Sequence, residues 1–191
     1  MGRLFVFEGP DGVGKSTIIG EVEERLHRVG ESCVRLAFPG KEPGTLGLHI
    51  YELHHQAEQF GVRSLSPLSL QLLHVAAHVD AIERQILPYL QQGQVVLLDR
   101  YWWSTWVYGI ANGLPIAQLE RMIAMEKLVW QGVIPTTLFI LSRTSSIVNP
   151  AIAKVYGELI EQERGIYPVT ALVNDASIDT IADEVTNIIQ K

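Results

Sequence analysis

Apolar positions along the chain fall into short unbroken runs that alternate with longer segments of helical spacing. Leu4, Phe5, Val6 and Phe7 form a run of β-formers with no polar interruption, the pattern of a strand covered on both faces. From Thr17 onward Ile18, Ile19, Val22, Leu26 and Val29 recur at near-helical spacing, so a helix follows the first strand. Gly30 and Glu31 make a turn, and 32–38 reads as the second strand, which ends in the Gly/Pro-rich charged loop 39–45. Helical spacing returns over 46–60, breaks across 61–67, and resumes in a longer helix over 66–90, where Pro88 is placed to close or kink the last turn. Three further apolar runs, 94–98, 136–141 and 169–174, are strands. Helices are expected over 115–130, 151–163 and 178–189, and 142–150 is polar and irregular.

Strands that alternate with helices in this way imply an α/β fold of three layers with about five parallel strands. The apolar runs are spread evenly over 191 residues that are 47% hydrophobic, so one domain with one sizeable core is expected. A formal charge of −6 supplies no general field for a nucleic acid polymer or an anionic membrane, so any phosphate binding has to come from local basic groups. One cysteine, Cys33, excludes an internal disulfide framework and fits a reducing compartment. The chain enters its first strand directly, without a leader pattern, and no apolar run reaches membrane-spanning length, so a cytoplasmic location is expected.

Chemistry enters after the first strand. Gly9, Gly14, Lys15 and Ser16 satisfy G-x-x-x-x-G-K-[ST], with Pro10, Asp11, Gly12 and Val13 inside the loop and Thr17 after it. The glycines permit a tight loop whose N–H groups converge on phosphate oxygens, and the helix opened by the loop adds its dipole. Lys15 would reach the β- and γ-phosphates and the Ser16 hydroxyl would hold Mg²⁺, so ATP and Mg²⁺ are the expected ligands. Asp99, delivered by a nearly all-apolar strand, is the acid expected to orient the water shell of Mg²⁺, and Arg100 offers a planar fork to a phosphate. Gln71, His74 and His78 share a face of the long helix. The spacing of the two histidines is compatible with zinc, but Val75 stands where H-E-x-x-H has glutamate and no third ligand is fixed, so polar groups lining a cleft, or ordinary helix histidines, are the preferred readings. Trp102, Trp103 and Trp106 crowd beside Asp99 and suit a core, a subunit interface or stacking on a planar ligand; periodicity does not choose among them.

Phe7 to Thr17, read F-E-G-P-D-G-V-G-K-S-T, and Asp99-Arg100-Tyr101 with Ser104 and Tyr108 resemble two signatures of the thymidylate kinase family of P-loop nucleoside-monophosphate kinases. Glu42-Pro43-Gly44-Thr45 is similar to that family's loop after the second strand, with Lys41 where arginine is common. The resemblance implies ATP-dependent phosphoryl transfer to a nucleoside monophosphate, with dTMP as the first expectation. Asp11 would then bind the acceptor's sugar hydroxyl, Arg100 and Lys41 its phosphate, and Phe38 or Tyr108 would pack near its base; Tyr101, His74 and His78 complete the expected acceptor site. A homodimer is implied by the same resemblance.

Two departures temper the substrate and the rate. His78 takes the position of an arginine that contacts the thymine in the family, which leaves base choice open. The segment 142–150 carries one arginine, Arg143, where the family has several in a mobile lid, so Arg143 is the remaining candidate to stabilise the transferring group and weak turnover is expected. The alternatives are a nucleotide-binding regulatory or interaction protein with degraded kinase activity, or a kinase for a non-nucleotide small molecule.

Overall fold

The computed structural model describes residues 1–144 and 149–191. Its centre is β1 (Arg3–Glu8), where Leu4 and Val6 face one side and Phe5 and Phe7 the other, so each side of the strand has its own hydrophobic layer. The elements that follow are α1 (Lys15–Arg28), β2 (Cys33–Ala37), α2 (Leu46–His55), α3 (Pro67–Ala81), α4 (Leu87–Gln91) and β3 (Val95–Asp99). Then come α5 (Trp102–Ala111), α6 (Ile116–Val129), β4 (Thr137–Ser142), α7 (Pro150–Gln162), β5 (Val169–Val173) and α8 (Ile178–Ile189). The five strands are all parallel, in the order β2-β3-β1-β4-β5. Ile18, Ile19, Val22 and Leu26 of α1 pack with Ile181, Val185 and Ile189 of α8 on one face, while α4, α5 and α7 supply Leu90, Trp103, Val107 and Tyr156 to the other. This is the expected three-layer α/β arrangement with β1 and β3 at its centre.

Register decides what meets at the C-terminal edge of the sheet. Phe7 lies opposite Asp99, and the Arg100 N–H donates to the Phe7 carbonyl at 2.9 Å, so the loop after β1 and the loop after β3 emerge side by side. Ala37 also lies opposite Asp99, which brings Phe38 to the same edge.

The helices differ from expectation in three places. The segment 46–60 divides at Gln56, whose backbone leaves the helical region, into α2 and one 3-10 turn over Ala57–Phe60. The long helix 66–90 is interrupted by a π-helical turn over Ile82–Ile86, in which the Leu87 N–H reaches back five residues to the Ile82 carbonyl. Pro88 has no N–H for the Arg84 carbonyl, and widening the preceding turn removes the clash its ring would cause. The third difference is α5, which no spacing announced: Trp102, Trp103, Ser104, Thr105, Val107 and Gly109 are all buried, so the helix has no polar face to reveal its period. Residues 145–148 of the polar, irregular segment lie outside the described residues.

Candidate functional site

The loop after β1 is held in shape from beneath. Val13 is fully buried in the core, and its carbonyl accepts from Asn174 Nδ2 at 2.7 Å. Gly9 and Gly14 both have positive φ, 136° and 92°, and a Cβ at Gly9 would lie 2.2 Å from the Leu141 carbonyl oxygen. Only glycine fits either position. Lys15 opens α1 and is buried, with Nζ 2.8 Å from each of the Gly9 and Pro10 carbonyl oxygens. Burial, reinforced by the nearby Arg100 charge, pulls its ammonium down to about 8, against the pull of Asp99, Glu8 and Asp11 in the other direction. The first turn of α1 carries no acidic residue, which leaves its N–H groups to an anion. Gly12, Ser16 and Thr17 complete the loop and that first turn.

Ser16 Oγ donates to Asp99 Oδ2 at 2.7 Å, joining the loop to the end of β3. Asp99 Oδ1 is buried and has no hydrogen-bond partner among the described residues. One carboxylate oxygen held by a hydroxyl and one left over, beside a phosphate-binding loop, is a donor set suited to a hard divalent cation.

Arg100 turns away from the strand at φ 77°, in the left-handed region that costs a branched or long side chain energy. That turn sends its guanidinium back over the loop: Nη1 donates to Ser104 Oγ at 2.9 Å and Nη2 pairs with Asp11 Oδ1. Tyr108 O–H donates to Asp11 Oδ2 at 2.7 Å, so one carboxylate is shared by a guanidinium and a phenol. Burial pushes the Asp11 carboxyl up, but Arg100, the Tyr108 hydrogen bond and Lys15 outweigh it and hold the group below its ordinary range. Burial raises the Tyr108 phenol to about 12.

Glu8, which the sequence did not single out, lies under this assembly with no exposed surface. Its Oε1 accepts from the N–H groups of Tyr101 and Ser104 at 2.7 and 2.9 Å, and its Oε2 accepts from the Ser104 and Tyr156 hydroxyls, each at 2.8 Å. Burial raises its pKa against Arg100, Tyr156, Ser104 and Lys15. A strand-end acid thus caps the start of α5 and ties α7 to the loop after β1. The one available signal was its place: a carboxylate ending an otherwise apolar strand has to be partnered.

From Asp99 and Arg100 a cleft of about 360 Å³ runs toward α2 and α3, within the size range of small-molecule sites. Asp11, Phe38, Lys41, His74, His78 and Tyr108 all line it, so the structure brings most of the expected acceptor residues together. Lys41 Nζ stands 5.2 Å from the centre of the Tyr51 ring. His74 Nε2 and His54 Nδ1 are 3.1 Å apart across the cleft, and burial, aided by neighbouring histidines and Arg100, pulls His74 down to about 3. Among the described residues no cluster of three or more His, Cys, Asp or Glu side chains could hold a metal ion.

Placement corrects one expectation, Tyr101, and decides a reading left open, the tryptophan cluster. Tyr101 is 1% exposed and does not reach the cleft; its ring packs against Trp102, Trp130 and Tyr167, because the left-handed turn at Arg100 breaks the β3 alternation and delivers Tyr101 to the face that carries Leu98. Trp102 and Trp103 are buried in the same aromatic layer, and no tryptophan lines the cleft, so the crowding beside Asp99 builds core there rather than a stacking platform. Arg143 follows β4 at the same edge of the sheet and is exposed; hydrogen bonds from Thr144 hold the nearby Asp175 carboxyl below its ordinary range, with a smaller contribution from the Arg143 charge.

The thymidylate kinase family profile matches residues 7–128. A thymidylate kinase from Thermoanaerobacter sp. (strain X514) is 30% identical over 164 residues, 85% of this chain and 76% of that protein. A thymidylate kinase from Caulobacter vibrioides is 35% identical over 146 residues, 76% of this chain and 67% of that protein. The crystal structure of a thymidylate kinase from Ehrlichia chaffeensis superposes over 99% of both chains with a TM-score of 0.78 at 22% identity, which establishes a common fold.

Proposed function

This chain belongs to the thymidylate kinase family, and from that premise we propose that it transfers the γ-phosphoryl group of ATP to a deoxynucleoside monophosphate, dTMP. The observation that carries the reading is that Arg100 and Asp11 form the shared wall between the phosphate-binding loop and the cleft. A donor phosphate cradled by Gly9–Thr17 and an acceptor phosphate gripped by Arg100 would meet there.

The acceptor's phosphate is already anionic, so transfer calls for alignment and charge neutralisation rather than a side-chain nucleophile or strong base. In this reading Lys15 leaves its two carbonyl partners to hold the β- and γ-phosphates, and the loop N–H groups and the α1 N-terminus hold the rest. Arg100 and Lys41 take the acceptor's phosphate, Asp11 with Tyr108 its sugar hydroxyl, and Phe38 offers a face to its base. Ser16 and Asp99 are the residues that would hold Mg²⁺, and the unpaired Asp99 Oδ1 supports that assignment. When bound, Mg²⁺ offsets negative charge on the β- and γ-phosphates. Arg143, at the end of β4, is the arginine assigned to the transferring group.

A homodimer is part of the proposal, supported by the exposed apolar side chains Ile116, Met125 and Leu128 along α6, and so is a cytoplasmic site of action. Among the described residues no helix is long and apolar enough to cross a membrane. A binding protein that has lost transfer is not favoured, because the chain belongs to a kinase family and keeps Lys15 in its loop, Asp99 bonded to Ser16, and Arg100 paired with Asp11.

The test is coupled ADP release with ATP·Mg²⁺ against a panel of nucleoside and deoxynucleoside monophosphates. ADP release that depends on dTMP is the expected result. ATP binding without release for any acceptor would overturn the reading.

A further inference from the structure

Two of the tryptophans that crowd beside Asp99 have no part in the nucleotide cleft. Trp102 and Trp106 lie one turn apart on α5, and the cleft takes Ser104, Thr105 and Tyr108 from the opposite side of the same helix. On the tryptophan side a second cavity of about 290 Å³ lies between α5, α6 and α7, and it shares no lining residue with the cleft. Its volume is about twice that of an engineered apolar cavity able to hold benzene. Trp102 and Trp106 give it an aromatic wall, and Ile123 of α6 and Leu159 of α7 add aliphatic surface. The charged side chains that line it are Glu120, Lys127 and Glu163, two acids against one base.

Those charges are unevenly satisfied. Lys127 Nζ stands 4.0 Å from the centre of the Trp102 ring, so the ring already carries a cation. The same Nζ is 3.6 Å from Glu163 Oε1, too far for a good hydrogen bond, and Glu163 Oε2 is buried with no hydrogen-bond partner among the described residues. The Glu163 carboxyl group thus lacks donors beside an aromatic wall. An ammonium is a point donor, whereas a flat head with two parallel N–H groups spans both oxygens of one carboxyl group and stacks on a ring. The Lys127 side chain is 41% exposed, so its stem is free to swing into solvent. We propose that this cavity is a second ligand site, for a small organic cation with a planar amidinium or guanidinium head that replaces Lys127 on the Trp102 ring and donates to Glu163. In the unliganded protein the Lys127 ammonium holds that cation's place. The inference is independent of the kinase reading, because none of these residues touches the cleft.

The test titrates benzamidinium into the full chain by calorimetry, with benzamide and benzoate as probes of the same shape that lack the charge or reverse it. Benzamidinium is expected to bind with a Kd below about 1 mM, at least about tenfold tighter than either control. Glu163→Gln, nearly isosteric, should weaken it about tenfold. Lys127→Met removes the competing cation and should tighten it at least about fivefold, the order of one like charge at about 4 Å in water. Indole N–H resonances of Trp102 and Trp106 should shift on titration while that of Trp130 stays, and neither ATP·Mg²⁺ nor dTMP should compete. Benzoate binding as tightly as benzamidinium would show that Lys127 sets the sign of the ligand, and benzamide doing so would leave an apolar groove without charge selection; either overturns the proposal. It is equally overturned by no binding of benzamidinium, by Lys127→Met leaving its affinity unchanged or weaker, or by nucleotide competition, which would place the probe in the cleft.

Discussion

Arg100 occupies a left-handed backbone position that costs about 1–3 kcal/mol for a residue of its kind, and the cost is met by where it puts the guanidinium. A straight exit from β3 would have sent that side chain under the sheet edge, where Tyr101 goes. Replacing Arg100 with Ala should raise the dTMP KM roughly a hundredfold, as loss of a charge-assisted phosphate contact does, with the ATP KM changed less than about threefold. Steady-state kinetics with each substrate varied in turn would show it, and equal damage to both would reassign the residue to the donor side. Glu8 makes a second prediction at this scale. It accepts from two backbone N–H groups and two hydroxyls within 3 Å, all of them donors. Glu8→Gln places an amide NH₂ against such donors in a site without water access, so it should destabilise the fold by about 2–3 kcal/mol, measured by urea unfolding. Activity should fall with it, because Ser104, which Glu8 fixes, also holds Arg100.

At the scale of elements, the phosphate-binding loop depends on an element far away in sequence. Asn174, just after β5, donates to the Val13 carbonyl, and a Cβ on Gly14 would come within 2.5 Å of the same Asn174 nitrogen. Gly14→Ala therefore meets two obstacles, the positive φ and the Asn174 amide. It should weaken ATP binding at least tenfold and cost about 2 kcal/mol of stability. Asn174→Ala in the same background would relieve only the contact, so partial recovery measured by calorimetry separates the two causes. This dependence also marks the boundary of what the sequence discloses. Strands β1 and β3, and helices α1 and α8, were legible because each buries a run or a stripe whose period is local. The loop Gly9–Thr17 and the triplet Asp99-Arg100-Tyr101 were legible because their spacing is itself the chemistry. Helix α5 was hidden by uniform burial, and the division of 46–60 turns on the backbone of Gln56, which has no glycine or proline to announce it. Glu8 with Tyr156, and His78 with Glu126, are pairs made across 148 and 48 residues, and no periodicity reaches that far.

At the scale of the whole molecule, the site's charges couple folding and nucleotide binding to pH in opposite directions through Lys15. Its folded pKa, about 8, lies below the ordinary 10.5, chiefly because of burial. Between those values the unfolded chain keeps the proton and the native chain releases it, so stability contributed by this group rises with pH across the window. Near neutral pH both states hold the proton, and keeping it in the buried site costs the native state about 3 kcal/mol. Nucleotide phosphates reverse the balance, since they favour the ammonium form. Binding ATP above pH 8 must then draw a proton from solution, and affinity should fall about tenfold per pH unit up to the pKa of the bound lysine. Tyr108, at about 12, and His74, at about 3, titrate outside this window. Isothermal titration from pH 7 to pH 10, repeated in buffers of different ionisation enthalpy, would report both the slope and the proton count. A slope near one with uptake approaching one proton supports Lys15 as the group that changes partners, from the Gly9 and Pro10 carbonyls to the phosphates. An affinity independent of pH would mean that the lysine is fully charged before the nucleotide arrives, and that the loop is set for phosphate by its backbone alone.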